Sequence, residues 1–143
     1  MVANTSPIYT LTPDVSNNNG TTVGGTILTA TGDYTGVSAN HVLLHTAGTN
    51  GSYVRRLRFK AIGTNIATVL RIYLNNGSTA GTATNNLFHG EISMPATTAT
   101  NTAATTDIDY PMEIALPSGW RIYVGTATTV ASGWIGSAIA GQY

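Results

Sequence analysis

Few side chains in this sequence are equipped for chemistry. The three histidines are His41, His45 and His89. On an extended strand His41 and His45 share a face, but at ~3.3 Å per residue they stand about 13 Å apart. That is too far to ligate one metal, and no acidic or cysteine partner sits nearby. They read as ordinary strand or surface histidines. Asp107 and Asp109 also share a strand face and could hold calcium with loop carbonyls, but no DxDxDG-type loop accompanies them. Solvated or Arg-paired carboxylates are the simpler reading. The chain has no cysteine, which excludes a disulfide framework, a thiolate metal site and a cysteine nucleophile. The stretch Gly77-Ser78-Thr79-Ala80-Gly81 is rich in small residues but lacks the lysine and helix start of a phosphate loop. No Ser/His/Asp arrangement can be argued from spacing. The sequence points away from an enzyme, and no cofactor, metal or small-molecule substrate is expected.

The basic residues are more informative. Arg55, Arg56, Arg58 and Lys60 fall in one strand-like run and Arg71 in the next, so Gly51 to Gly77 holds all but one of the six basic residues. Alternation places Tyr53, Leu57, Phe59 and Ala61 inward and Val54, Arg56, Arg58 and Lys60 outward, with Arg55 at a rim or bulge. If the two runs pair through Ile62-Gly63-Thr64-Asn65, Leu57 opposes Leu70 and Arg56 opposes Arg71. Like charges so placed repel unless anions neutralise them. Most of the acids, Glu91, Asp107, Asp109 and Glu113, lie on later segments. A nucleic-acid surface would need more net charge and interleaved aromatics. Two readings stay open: an intramolecular ladder of ion pairs, and a contact between subunits built on the same complementarity.

The elements that would position these residues are short and β-like. Strands are expected at 26–30, 41–46, 52–62, 66–75, 87–94, 106–116, 120–126 and 130–139, with Gly, Asn and Pro between them. In Thr106 to Leu116, Ile108, Tyr110, Met112, Ile114 and Leu116 form one apolar face, opposite Asp107, Asp109, Pro111 and Glu113. That period of two is the mark of a half-buried strand. Leu116-Pro117-Ser118-Gly119-Trp120 reads as a hairpin loop with Gly119 left-handed, pairing Ile114 with Ile122 and leaving Arg121 diagonal to Glu113. The expected fold is all-β: a single antiparallel β-sandwich, jelly-roll-like, of about eight strands. It would span residues 26–143, behind an extended N-terminal arm over residues 1–25. Ile8, Tyr9, Leu11 and Val15 are apolar anchors in that arm. They suit docking on a neighbouring subunit, and equally a frayed or locally folded terminus.

Bulk properties agree with one domain of 143 residues. Charged residues make up only 8% of the chain, against ~25% in typical domains, and the net charge is zero. Such a surface is weakly defended against self-association, as expected of a chain covered by partners. The N-terminus lacks the pattern of a secretory signal, and no apolar run is long enough for a membrane helix. Neither nucleic acid nor membrane is an expected partner.

The run Tyr53 to Tyr73 (YVRRLRFKAIGTNIATVLRIY) resembles a group of small virion proteins of tailed phages. The likeness continues at Asn75-Asn76-Gly77-Ser78, at Leu87 to Thr97 (LFHGEISMPAT), at Leu116-Pro117-Ser118-Gly119, and at the Gly-Trp and closing Gly-x-Tyr of the C-terminus. It covers Thr46 to Tyr143 and not the first 40 residues. It implies a capsid decoration (cement) protein that binds the major capsid protein as a homotrimer on the virion surface, after synthesis in the host cytoplasm. The residues that such a role puts at interfaces are Ile8, Tyr9 and Leu11 of the arm, with Arg56, Arg58, Lys60, Arg71, Asp107, Asp109 and Glu113 of the charged strands. The alternative is a receptor- or glycan-binding module of a head or tail fibre, in which Tyr73, Trp120, Tyr123 and Trp134 would stack on sugars.

Overall fold

The computed structural model describes residues 10–17, 27, 33–37 and 40–143. Eight strands and one 3-10 turn (Ala83–Asn85) make up the regular structure of the described residues: β1 (Thr12–Asn17), β2 (Val42–Thr46), β3 (Ser52–Ala61), β4 (Thr68–Asn75), β5 (Asn86–Met94), β6 (Asp107–Leu116), β7 (Arg121–Thr126) and β8 (Trp134–Gln142). They form two antiparallel four-stranded sheets in the orders β1-β8-β3-β6 and β2-β7-β4-β5. The all-β sandwich expected from alternation is the fold observed.

The pairing follows one rule. β4 pairs with β5, β3 with β6, β2 with β7 and β1 with β8. The chain is thus one long antiparallel ribbon with its tip at β4–β5, folded over so that successive rungs alternate between sheets. This winding is the jelly roll. It overturns two expected hairpins. β3 and β4 lie in opposite sheets, so Leu57 faces Tyr110 and Ala138 rather than Leu70. β6 and β7 are likewise separated, so Ile114 pairs with Val54 and Ile122 with Leu74 and His45. Gly119 does take the left-handed conformation, φ 73°. Its turn carries the chain across the sandwich rather than back along one sheet.

Between the sheets lies an apolar core including Leu44, Val54, Leu57, Phe59, Leu70, Ile72, Ile122, Val124 and Trp134, each with no exposed surface. Burying one such side chain contributes ~1.5–3 kcal/mol, and these residues lock the sheets face to face. Ile27 closes the core at the start of β8, bridging backbone to backbone with Trp134; the rest of the strand expected at 26–30 lies outside the described residues. Besides a register shift between Ile72 and Tyr73 in the β4–β5 pair, two bulges re-set the phase of residues singled out in the sequence. One, between Val54 and Arg56, turns Val54 inward and leaves Tyr53 half-exposed, the reverse of the simple alternation, with Arg55 at the irregularity. The other lies between Leu43 and His45. It turns His45 into the core while His41 stacks on Tyr73 outside, ring centroids 4.5 Å apart, so the two histidines do not share a face.

Thr12–Asn17 lies within the expected arm and forms β1, pairing residue for residue with β8 from Thr12–Gln142 to Asn17–Ser137.

Candidate functional site

β6 is the outermost strand of its sheet, and its outward carboxylates meet the outward cations of β3. Arg58 stands opposite Asp109 and Lys60 opposite Asp107 in the ladder, yet the ion pairs run diagonally, where long side chains reach best. Arg56 Nη1 lies 3.0 Å from Asp109 Oδ2, and Arg58 Nη2 contacts Asp107 Oδ2. Lys60 Nζ donates to the Thr105 carbonyl, and the Tyr53 hydroxyl donates to Glu113. The guanidinium of Arg58 holds the Asp107 carboxyl below the usual carboxylate range, and the Glu113 carboxylate raises the Tyr53 phenol. The Arg56 and Arg58 side chains stay 42% and 48% exposed, so the ladder remains a solvent-facing, charge-balanced surface.

Glu113 itself is irregular. It is the only non-glycine with positive φ, 51°, among the described residues. With Met112 it stands against Arg55 alone, between the pairs Val54–Ile114 and Arg56–Pro111, the two-against-one arrangement of a β-bulge. Together with Pro111, which cannot donate to a further strand, this bulge and the charges make β6 a poor template for another chain.

Arg71 is not part of this surface. It lies on the outer face of the other sheet, a consequence of the folded ribbon, so the expected opposition of Arg56 and Arg71 does not occur. Arg71 is only 11% exposed and its nearest carboxylate is Glu91 at 3.8 Å. Its guanidinium sits 4.1 Å from the centre of the Tyr34 ring, and Tyr34 meets Phe88 edge-on at 5.2 Å. The segment around Asp33 to Gly36 lies across Tyr73, whose hydroxyl donates to the Asp33 carbonyl at 2.5 Å, and leaves that tyrosine fully buried. Tyr73 and Trp134 are both without exposed surface, so neither can stack on a sugar; Trp120 and Tyr123 are part-buried.

At the far edge of the first sheet, Leu11 and Val15 are 81% and 71% exposed. They flank and occupy β1, an outermost strand. Ile8 and Tyr9 lie outside the described residues.

Sequence spacing gave no sign of one cluster. His45, fully buried, places Nε2 2.8 Å from Ser52 Oγ, and its Nδ1 lies 3.8 Å from Asp14 Oδ2. Gln142 Nε2 donates to the same carboxylate at 2.5 Å, while its Oε1 accepts from the Gly48 amide at 2.6 Å. Carboxylate, imidazole and hydroxyl are in the order of a catalytic triad. Ser52 has no exposed surface, so no substrate can reach its hydroxyl in this arrangement. The cluster joins β1, β2, β3 and β8. Desolvation lowers the His45 pKa, opposed in part by the Asp14 charge. Among the described residues no three or more His, Cys, Asp or Glu side chains gather as a metal site would require.

Comparison with protein-family models, with curated proteins and with solved structures finds no match to this chain.

Proposed function

We propose that the chain is a non-catalytic virion component: a decoration protein that assembles as a homotrimer and binds the major capsid protein on the outside of a phage head. The observation that carries this reading is the pair of exposed apolar side chains at an outermost strand, Val15 within it and Leu11 just before it. Water-exposed leucine and valine on a sheet edge favour association with another surface. The resemblance of Thr46 to Tyr143 to phage virion proteins is the ground for taking that surface to be a capsid. A jelly roll is also a common frame for capsid proteins, although the fold alone carries no function. In this role Ile8, Tyr9 and Leu11 attach the protein. The β3–β6 ladder forms a polar rim, where half-exposed, internally paired charges favour orientation over affinity. A trimer engaging several lattice sites multiplies weak contacts into firm retention.

The test is the particle. Purified virions should contain the protein in stoichiometric amounts, with three-fold density on the head by electron microscopy. Leu11→Asp with Val15→Asp should leave the sandwich folded and release it from capsids in co-sedimentation. Absence from purified particles rejects the reading.

A further inference from the structure

At one end of the sandwich a cleft of about 360 Å³ opens between the loop after β4, the turn before β5 and the start of β7. Its walls are Leu74, Leu87 and Trp120 on the apolar side and Asn76, Thr84 and Asn85 on the polar side. This mixture of an aromatic, aliphatic surface and a few fixed polar groups, at the small end of the usual volume range, is what small-molecule sites present. We propose that this cleft binds a neutral saccharide, with the pyranose ring against Trp120 and its hydroxyls on the asparagine amides.

Three observations support that chemistry. First, the indole is held in place. Trp120 packs on the core on one side, so little side-chain freedom remains to be lost on binding. Its distance from Asn76 is set by Gly77, at φ 89°, where a Cβ would come within 2.8 Å of the Gly119 carbonyl. Only glycine lets these two loops approach so closely.

Second, two of the three lining asparagines, Asn76 and Asn85, are oriented but not saturated, whereas the Asn86 amide nitrogen is already committed to the Gly36, Ala80 and Thr82 carbonyls. The Asn76 backbone amide donates to the Asn85 carbonyl at 3.0 Å, and its side-chain Nδ2 donates to Asn85 Oδ1 at 3.3 Å. Asn76 Oδ1 accepts from the Ser78 amide, and Asn85 Nδ2 donates to the Thr79 carbonyl. An amide side chain offers two donors and two acceptor sites. Asn76 and Asn85 each therefore keep one N–H and one lone pair. A sugar hydroxyl gives and takes a hydrogen bond at once, so a spare donor beside a spare acceptor suits vicinal hydroxyls.

Third, none of the lining residues is charged. The nearest cation, Arg121, is turned to the Ser78 carbonyl outside the lining, so a charged group in the cleft would lose water without a counter-charge among the residues that line it, whereas a neutral sugar keeps its hydroxyls paired and buries its C–H face on the indole. Leu87, 58% exposed, extends the apolar surface beyond the ring.

This site is independent of capsid attachment, so its failure would leave the decoration reading untouched. The protein is applied to an array of neutral and charged glycans, and any neutral hit is titrated by intrinsic fluorescence. The chain has two tryptophans, and Trp134 is fully buried, so a saccharide-dependent emission change reports Trp120. A saturable change is expected with at least one neutral glycan. Trp120→Phe, titrated by calorimetry because it lacks the reporting indole, should weaken binding about tenfold through the lost indole surface. Thr84→Arg, at an exposed position, should block the cleft with the fold intact by circular dichroism. No neutral glycan bound, binding confined to charged glycans, or affinity unchanged by both variants would overturn the proposal.

Discussion

His45 Nε2 and Ser52 Oγ lie 2.8 Å apart inside the sandwich, joining β2 of one sheet to β3 of the other, with Asp14 of β1 3.8 Å from the opposite ring nitrogen. Burial lowers the His45 pKa, and burial likewise lowers that of His41 against its Gly36 hydrogen bond and the Asp33 charge. Unfolded histidines titrate near 6.5. Below that value the unfolded chain therefore binds more protons than the folded one, and stability must fall as pH falls. The native contribution is complete above about pH 6.5 and lost as pH drops through the lower folded values. Thermal unfolding between pH 7.5 and 5 should show a falling midpoint, less steep in His45→Gln; a flat profile would contradict the assignment.

Asn65 closes the opposite kind of seam, one between loops. Its amide nitrogen donates to Thr97 Oγ1 and the Gly133 carbonyl at 3.2 and 3.1 Å, one of these N–H groups shared with the Gly63 carbonyl at 3.4 Å, and its oxygen accepts the Ser132 and Gly133 amides at 2.9 and 2.6 Å. With Asn65 only 3% exposed, Asn65→Ala leaves buried backbone groups without partners. A loss of about 3 kcal/mol is expected, measurable by denaturant unfolding. A change no larger than that of a surface Asn→Ala control would show that water replaces the amide.

Strand positions were legible in the sequence because alternation is local: Met112 and Leu116 are buried, with Ile108, Tyr110 and Ile114 packed on the core, as their spacing required. Partners were not legible, because only β4 and β5 are both neighbours in sequence and paired. The Ile62-Gly63-Thr64-Asn65 and Leu116-Pro117-Ser118-Gly119 turns signal reversal equally well whether a chain returns along its own sheet or crosses to the other. The cluster of Asp14, His45 and Ser52 depended on that non-local winding and on the bulge at Leu43–His45, which shifts phase without a glycine to announce it. The β3–β6 ion pairs needed only complementary charge patterns and were readable as one of two alternatives.

Glu113 occupies a left-handed backbone position, which favours glycine. Holding a side chain there costs about 1 kcal/mol. Glu113→Gly should raise stability by up to about 1 kcal/mol, less the entropy glycine gains when unfolded. The same change removes the carboxylate that raises the Tyr53 phenol pKa, so an ultraviolet titration should show Tyr53 ionising at lower pH. Destabilisation together with an unmoved tyrosine titration would mean that Glu113 is neither strained nor bonded as described.

Arg58 and Arg71 separate surface electrostatics from structural packing, because the jelly roll sets them on opposite sheets. Arg58, 48% exposed, has its ion pair with Asp107 in solvent, and exposed pairs contribute little to folding. Arg58→Glu should leave the unfolding midpoint nearly unchanged, while placing like charge beside Asp107 and altering any surface the ladder meets. Arg71→Glu instead replaces an 11% exposed guanidinium beneath Tyr34 with a carboxylate facing Glu91. Loss of the cation–π contact and the new repulsion in a desolvated site should cost about 3 kcal/mol. Thermal unfolding combined with sedimentation velocity distinguishes the two: Arg58→Glu should act on assembly and Arg71→Glu on folding. If Arg58→Glu assembles like the wild type, the ladder is an internal brace with no part in a subunit contact. If it unfolds as readily as Arg71→Glu, the ladder holds β6 to the sheet more firmly than solvent-exposed ion pairs can.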